Sequence, residues 1–254
     1  MSDDDKHRAH IFLHRGQLAQ ARAAYEQAVA DDRLANDQRG LSVSLGNLGN
    51  VCALSGDLIR AEACYREVLT IQRIECNQQA VAHTLVNLGN LHIGADHPEK
   101  ARPYYLEAMD LLHTLKDDRA LGILHNNLAL QEAREGQWEQ AVTSFKQALD
   151  HHRVVGNEEG LAVTYSQLGK CFLDQGDLIR AERCLNNASE HYIKLGNEPA
   201  EGAVLRLLAT LYDARQDLVS ARRCLERVVS LDLRYQLPEF QTDSAYLAKL
   251  NHSD

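Results

Sequence analysis

Apolar residues recur along this chain every three or four positions, the spacing that places them on one face of an α-helix. Within residues 37–76 the first such run consists of Leu41, Leu45, Leu48 and Cys52. The second run consists of Leu58, Ala61, Tyr65 and Val68. Between the runs, Gly56 is expected to end the first helix in a left-handed conformation, and Asp57 is expected to cap the second. The pattern predicts two antiparallel helices joined by a tight turn.

The same pattern returns every 40 residues without an insertion. Its clearest marker is an alanine near the start of each second helix, at Ala21, Ala61, Ala101, Ala141, Ala181 and Ala221. A bulky residue follows four positions later, at Tyr25, Tyr65, Tyr105, Phe145, Leu185 and Leu225. A cap for the next first helix returns at Asp37, Asn77, Asp117, Asn157 and Asn197. A fixed period of this length indicates stacked helical pairs rather than one irregular globule.

Small residues explain how two helices of a pair can approach each other. Gly49 and Ala61 leave room between the backbones, and Tyr65 is expected to fill the space beyond them. The apolar face of one pair is too large to be buried alone, so successive pairs must stack. The predicted fold class is therefore all-α, a right-handed α-solenoid (superhelix) of helix-turn-helix repeats.

We expect a single solenoid domain over residues 1–254. Its repeats are predicted at about 1–36, 37–76, 77–116, 117–156, 157–196 and 197–236, and a capping helix at about 239–250. Trp138 replaces a leucine of the repeat and is expected to lie in the core. Cys64, Cys184 and Cys224 share one repeat position, which favours buried packing residues over disulfides or a metal site.

Composition and charge exclude several function classes. A net charge of −9 argues against nucleic-acid binding, which needs clustered Lys and Arg. No apolar run approaches the roughly 20 residues that span a bilayer. The start, Met-Ser-Asp-Asp-Asp-Lys, is acidic where a signal peptide would be basic, so a cytoplasmic protein is expected by elimination. No phosphate loop, nucleophile elbow or metal-hydrolase motif is present, so neither catalytic residues nor cofactors are predicted.

The order of the repeat residues resembles a known family. Leu-x-x-Leu-Gly followed by Ala, then Tyr or Phe, then Ala is the tetratricopeptide (TPR) pattern, stretched from about 34 to 40 residues. The phrase Leu-Gly-Asn-Leu-Gly-Asn at 45–50, echoed at 86–90, resembles the LGN/Pins spindle-orientation adaptors and their rapsyn-like relatives. Bacterial TPR proteins and the superhelical domains of some signalling ATPases and Rap-type regulators are similar too. No GoLoco-like motif follows the repeats, so a G-protein role of the LGN type is not expected.

The resemblance implies that the first helix of each pair lines a concave groove. The predicted partner-binding residues on that face are Asn47, Asn50, His83, Asn87, Asn90, Asn127, Gln167, Lys170 and Arg206. Asn47, Asn87 and Asn127 form a ladder with one amide per repeat. Because Asn is about 0.7 kcal/mol less favourable than Ala inside a helix, a row of it needs a reason. An amide both donates and accepts, which suits the backbone of an extended peptide; the alternative is that these amides only hold neighbouring helices together.

A histidine group at the start of the chain raises the question of a metal. His7, His10 and His14 share one helical face, and His10 and His14 have the spacing of metal ligands. Because the sequence fixes no carboxylate or cysteine nearby, a solvated terminal helix is the preferred interpretation and no metal site is predicted.

The leading hypothesis is a noncatalytic scaffold that binds a peptide or helix of a partner protein in its concave groove. One alternative is a regulatory TPR sensor module that controls a signalling enzyme. Another is a scaffold that self-assembles into a homo-oligomer through an open repeat end. The sequence leaves the three open.

Overall fold

The computed structural model describes residues 2–251 and, within that range, all side chains except those of residues 2–6 and 14. Over this range thirteen α-helices follow one another and no strand is present. The predicted all-α class is therefore confirmed. None of the helices in this range is long and apolar enough to cross a membrane.

The chain divides into two compact units, one ending at Ala120 and the other beginning at Leu121. The first unit holds α1 (Ser2–His14), α2 (Leu18–Leu34), α3 (Gln38–Leu54), α4 (Leu58–Ile74), α5 (Gln78–Gly94) and α6 (Pro98–Leu115). Helix α7 (Asp118–Arg134) begins just before the boundary. The second unit continues with α8 (Trp138–Val154), α9 (Glu158–Asp174), α10 (Leu178–Leu195), α11 (Glu198–Ala214), α12 (Leu218–Tyr235) and α13 (Phe240–Asn251). Consecutive helices pack together from α1 to α6 and from α8 to α13.

A residue with a left-handed backbone follows each helix from α1 to α12, and these residues recur every 20 positions. Six of them are glycines, Gly16, Gly56, Gly136, Gly156, Gly176 and Gly196. The others are Asn36, Cys76, Asp96, Lys116, Gln216 and Gln236. A left-handed residue reverses the chain within a few residues and lets the last backbone carbonyls of the helix find donors. The predicted helix break at Gly56 is confirmed, with φ +78°.

The predicted helix caps also form. The side chains of the inter-repeat residues accept hydrogen bonds from backbone N–H groups three positions later, at Gly40, Ala80, Ala120, Gly160 and Ala200. Asp57, Asp177 and Asp217 do the same at the second helices of their pairs. Gln17 and Gln137 occupy the corresponding position elsewhere and make no side-chain cap. A carboxylate or short amide is thus placed where the first free N–H groups of a helix need an acceptor.

The core follows the alanine and aromatic columns of the repeat. All six repeat alanines are fully buried, and the bulky residues four positions later are buried as well. The ring of Tyr65 lies directly on Gly49, where an added Cβ would come within 2.7 Å of the ring. In the second unit Leu185 covers Gly169 in the same way. The small residues therefore allow the close approach that the sequence predicts.

One core prediction is wrong. Trp138 is the first residue of α8 and keeps 38% of its surface exposed. At the same repeat position Leu178 and Leu218 are partly buried against the core, whereas the larger indole of Trp138 leaves more of its surface in contact with solvent. The cysteines are free thiols, and Cys64 and Cys184 are buried as expected, whereas Cys224 is half-buried.

Candidate functional site

Three of the predicted amides meet in one cleft of the first unit, here called the amide groove. It has a volume of about 440 Å³ and lies between α3 and α5, with α4 contributing part of its wall. Its lining residues are Asn50, Ala53, Leu54, Leu58, Tyr65, Asn87, Asn90, Leu91 and Gly94. Asn50 and Asn90 hold the same repeat position on neighbouring first helices, so the 40-residue period places two equivalent amides side by side.

Tyrosines of the second helices hold two of these amides in place. The hydroxyl of Tyr65 donates to Oδ1 of Asn50 at 2.7 Å, and that of Tyr105 donates to Oδ1 of Asn90 at 2.6 Å. Burial raises the pKa of Tyr65 to about 12, so its phenol keeps the proton that it donates. Because Oδ1 of Asn50 is engaged, the amide NH₂ group is the part that it can offer to a ligand. The recurring 15-residue separation of Asn and Tyr is the sequence signal for this pair, which the pattern of buried residues alone did not predict.

The remaining predicted residues of the first unit differ in their surroundings. Asn87 is half-buried and lines the amide groove, and its side chain makes no hydrogen bond within the described part of the chain. Asn47 is also half-buried but is not among the lining residues. His83 is exposed, and its Nε2 lies 3.7 Å from Oδ2 of Asp117, which also accepts from Gln79. The structure thus brings Asn87 together with Asn50 and Asn90, and places His83 beside the next helix start.

The amide groove is electrically neutral. None of the residues that line it is charged, and its polar groups are amides and one phenol. Such a surface can pair with the N–H and C=O groups of a polypeptide backbone, and it offers no counter-charge to a carboxylate or phosphate.

In the second unit the predicted residues have mixed environments. Asn127 and Gln167 are half-buried, and Lys170 is exposed. The Oε1 atom of Gln167 is buried and has no hydrogen-bond partner within the described residues. A buried acceptor without a donor is unfavourable, so this atom is a local cost of the packing around α9.

Arg206 is engaged inside the second unit. Its guanidinium donates to the buried carboxylate of Asp232 on α12 and, at 2.6 Å, to Asp243 on α13. Burial raises the pKa of Asp232, and the Arg206 charge acts against that shift. Arg206 therefore ties three helices together, a role that its position in the repeat did not reveal because both partners lie far along the chain.

The histidine group at the start of the chain is only partly described. His7 and His10 are exposed, and the side chain of His14 lies outside the described residues. Among the side chains that the structure describes, no group of three or more His, Cys, Asp or Glu is arranged to hold a metal ion.

Comparison with known proteins identifies the repeat. A family profile of the tetratricopeptide repeat matches residues 5–74, 40–112, 120–192 and 160–234. A comparison with curated proteins gives no significant match.

Several solved structures share the architecture. BtubC from P. vanneervenii is 20% identical, with a TM-score of 0.76, over 87% of this chain and 92% of that protein. A Signal Transduction ATPase with Numerous Domains (STAND) protein with a tetratricopeptide repeat sensor, from Pyrococcus horikoshii, is 14% identical, with a TM-score of 0.77, over 97% of this chain and 38% of that protein. A Rap protein complexed with competence and sporulation factor is 13% identical, with a TM-score of 0.70, over 97% of this chain and 75% of that protein. At these identities the likeness shows the fold alone, an all-α solenoid.

Proposed function

Because the chain belongs to the tetratricopeptide-repeat family, we propose that it is a noncatalytic interaction module that binds an extended segment of a partner protein in the amide groove. The observation that carries this proposal is the meeting of Asn50, Asn87 and Asn90 in one uncharged cleft. A protein-interaction role is common to such repeats, which offer long surfaces rather than enclosed catalytic pockets.

The chemistry of the groove favours a peptide backbone over other ligands. Asn87 has both a free donor and a free acceptor, so it can pair with one peptide unit in two hydrogen bonds. Asn50 presents an amide whose orientation Tyr65 fixes, which lowers the entropy lost when a ligand is bound. Leu54 and Leu91 supply apolar contacts beside the amides. The absence of charge among the lining residues disfavours capture of a terminal carboxylate.

The other predicted partner-binding residues have different roles in this proposal. Asn47 and His83 are proposed to flank the amide groove. In the second unit, Asn127, Gln167 and Lys170 are proposed as partner contacts of that unit, and the exposure of Lys170 supports this. For Arg206 we propose a structural role, since its ion pairs with Asp232 and Asp243 occupy the guanidinium.

The Rap neighbour supports a peptide ligand, because that structure holds a protein of this fold in complex with competence and sporulation factor. The STAND neighbour carries its repeats as a sensor, which supports the regulatory form of the same hypothesis. The scaffold hypothesis and the regulatory hypothesis both use the amide groove as the contact surface. One test of the groove therefore applies to both hypotheses.

Asn87→Ala is the most direct test. Peptides are selected on the whole protein from a random display library, and the affinity of each is measured by fluorescence anisotropy. Loss of at least one ordinary hydrogen bond, about 1 kcal/mol, is expected to weaken groove-bound peptides at least fivefold. The melting temperature is expected to be unchanged or higher, because Ala is the better helix former.

Asn187→Ala, the same change on α10, is the matched control and should leave these affinities unaltered. If no selected peptide responds to Asn87→Ala, the amide groove is not the binding surface. A lower melting temperature with intact affinity would instead show that Asn87 stabilises the stacking of repeats.

A further inference from the structure

A second kind of groove runs between the second helices of neighbouring pairs. In the first unit it lies between α2 and α4 over Leu45 and Leu48 of α3, with a volume of about 290 Å³. In the second unit the corresponding groove lies between α10 and α12 over Leu205 and Leu208 of α11, with a volume of about 490 Å³. Most residues that line the first groove have an equivalent that lines the second, so the two grooves can be compared position by position.

Ion pairs close the α2–α4 groove. Arg33 of α2 reaches across to Glu67 of α4 at 2.7 Å. Arg60 of α4 reaches back to Glu26 of α2 at 2.6 Å. Both pairs bridge residues that line the groove. The polar ends of these long side chains therefore satisfy one another across the opening, and Leu45 and Leu48 beneath them are buried.

The α10–α12 groove lacks both bridges. Four repeats further along, Ile193 and Arg227 stand where Arg33 and Glu67 form the first pair. Asn186 and Ser220 stand where Glu26 and Arg60 form the second.

The side chains at these positions leave the groove open. Arg227 turns toward α11 and pairs with Glu198 at 3.2 Å and Glu201 at 3.3 Å. Ile193 keeps 60% of its surface exposed at the rim. Leu205 of the floor is therefore partly exposed, whereas Leu208 is buried like Leu48 of the first groove.

The residues that line the α10–α12 groove carry a net positive charge. Among its lining residues, Glu201 is the single carboxylate and is paired with Arg227. Arg223 also lines the groove, is exposed, and makes no ion pair within the described residues. An unpaired guanidinium next to exposed apolar surface is complementary to a carboxylate beside an apolar side chain.

We propose that the α10–α12 groove is a second docking site, which takes an acidic, apolar segment of another protein. An Asp or Glu of that segment pairs with Arg223, and a neighbouring Leu, Ile or Phe packs on Ile193 and Leu205. This site is distinct from the amide groove, and its ligand differs from the backbone-bound peptide proposed there because it is recognised by charge.

The test grafts the missing ion pair. Asn186→Glu with Ser220→Arg recreates the Glu26–Arg60 pair and is expected to close the groove without disturbing the fold. Asp217, which caps α12 through the Ser220 backbone N–H, is kept, as Asp57 is beside Arg60. Random 16-residue peptides displayed on phage are selected on the full chain and measured again on this variant and on Arg223→Glu.

We expect a class of peptides rich in Asp or Glu next to Leu, Ile or Phe. These should lose at least tenfold in affinity on either variant, bind more weakly at high salt, and keep their affinity on Asn87→Ala. Ile193→Ser, a change at an exposed position, should weaken the same peptides. Circular dichroism and thermal melting verify that each variant is folded.

Three results would overturn the proposal. The first is that no selected peptide depends on the grafted pair. The second is that the dependent peptides are neutral or basic and ignore Arg223→Glu. The third is concentration-dependent self-association of the wild type that the grafted pair abolishes, which would make a second copy the occupant. Peptides that respond only to Asn87→Ala would support the amide groove and reject this second site.

Discussion

Residues with a left-handed backbone make large local contributions to the free energy of folding of this repeat array. Twelve such residues end helices in the described part of the chain, and half of them are not glycine. A side chain in this conformation costs roughly 1–2 kcal/mol because its Cβ crowds the following carbonyl oxygen. This cost is tolerated because the helices of a repeat can pack only if the chain turns at this position, whichever residue occupies it.

Lys116→Gly is therefore expected to stabilise the protein. Lys116 has φ +53° and is exposed, so its replacement relieves backbone crowding without removing a buried contact. The gain should be about 0.5–1 kcal/mol, because the greater freedom of glycine in the unfolded chain offsets part of the relief. Urea denaturation measures this gain in the free energy of unfolding. Gly176→Ala, at φ +75°, should shift the midpoint the other way, and equal behaviour of the two variants would contradict this account.

The turns at Gly56 and Gly176 could be predicted from residue type, but those at Cys76 and Lys116 could not. Neither residue favours a left-handed backbone, and only the 20-residue period places them there. The caps were visible because Asp and Asn have the required acceptor at the required position. The ion pairs of Arg206 were hidden because Asp232 and Asp243 belong to elements 26 and 37 residues away.

At the scale of helices, the repeat alanines decide how closely the two members of a pair approach. Each is fully buried in the first turns of a second helix. The same period predicted Asn50 and Asn90 on one face, but not that Tyr65 and Tyr105 would hold them. That arrangement depends on the side chain of one helix crossing to the other, which spacing along the chain does not specify. The shape of the amide groove could not be predicted for the same reason.

Ala141→Leu should overpack the pair formed by α7 and α8. Ala141 has no exposed surface, so three additional carbon atoms must displace neighbouring side chains or the helix itself. We expect a loss of about 1–3 kcal/mol in the free energy of unfolding, measured by thermal or urea denaturation. In a repeat array this loss can appear as local unfolding around that pair.

Gln140→Leu, at the exposed neighbouring position, provides the control for hydrophobicity alone and should leave the transition unchanged. An unaltered transition for Ala141→Leu as well would show that the assigned register of the repeat is wrong.

At the scale of the whole molecule, α13 determines how the second unit ends. Leu250 is buried against Ala209, Ala221 and Leu225. Polar contacts surround this apolar patch, including Tyr246 to Asp213 at 2.7 Å. The helix thereby covers part of the apolar face that α11 and α12 present.

Truncation after Leu237 should expose this face and cause self-association. The expected observation is a molar mass that rises with concentration in size-exclusion chromatography with light scattering, together with a lower melting temperature. Leu250→Ala, which keeps the helix, should cost roughly 2–5 kcal/mol without that rise. A truncated chain whose mass and melting temperature match those of the full chain would refute the capping role of α13.

The constant 20-residue spacing of the helix ends restricts how the gene of this protein can change in length. One codon inserted inside a helix would turn every later residue of that helix by about 100° and move its buried face toward solvent. The turns between helices are two to four residues long and are too short to absorb the change. Unequal recombination between equivalent codons of two repeats adds or removes a complete pair and keeps every alanine in its place. We therefore expect lengthened or shortened descendants of this chain to differ by whole repeats.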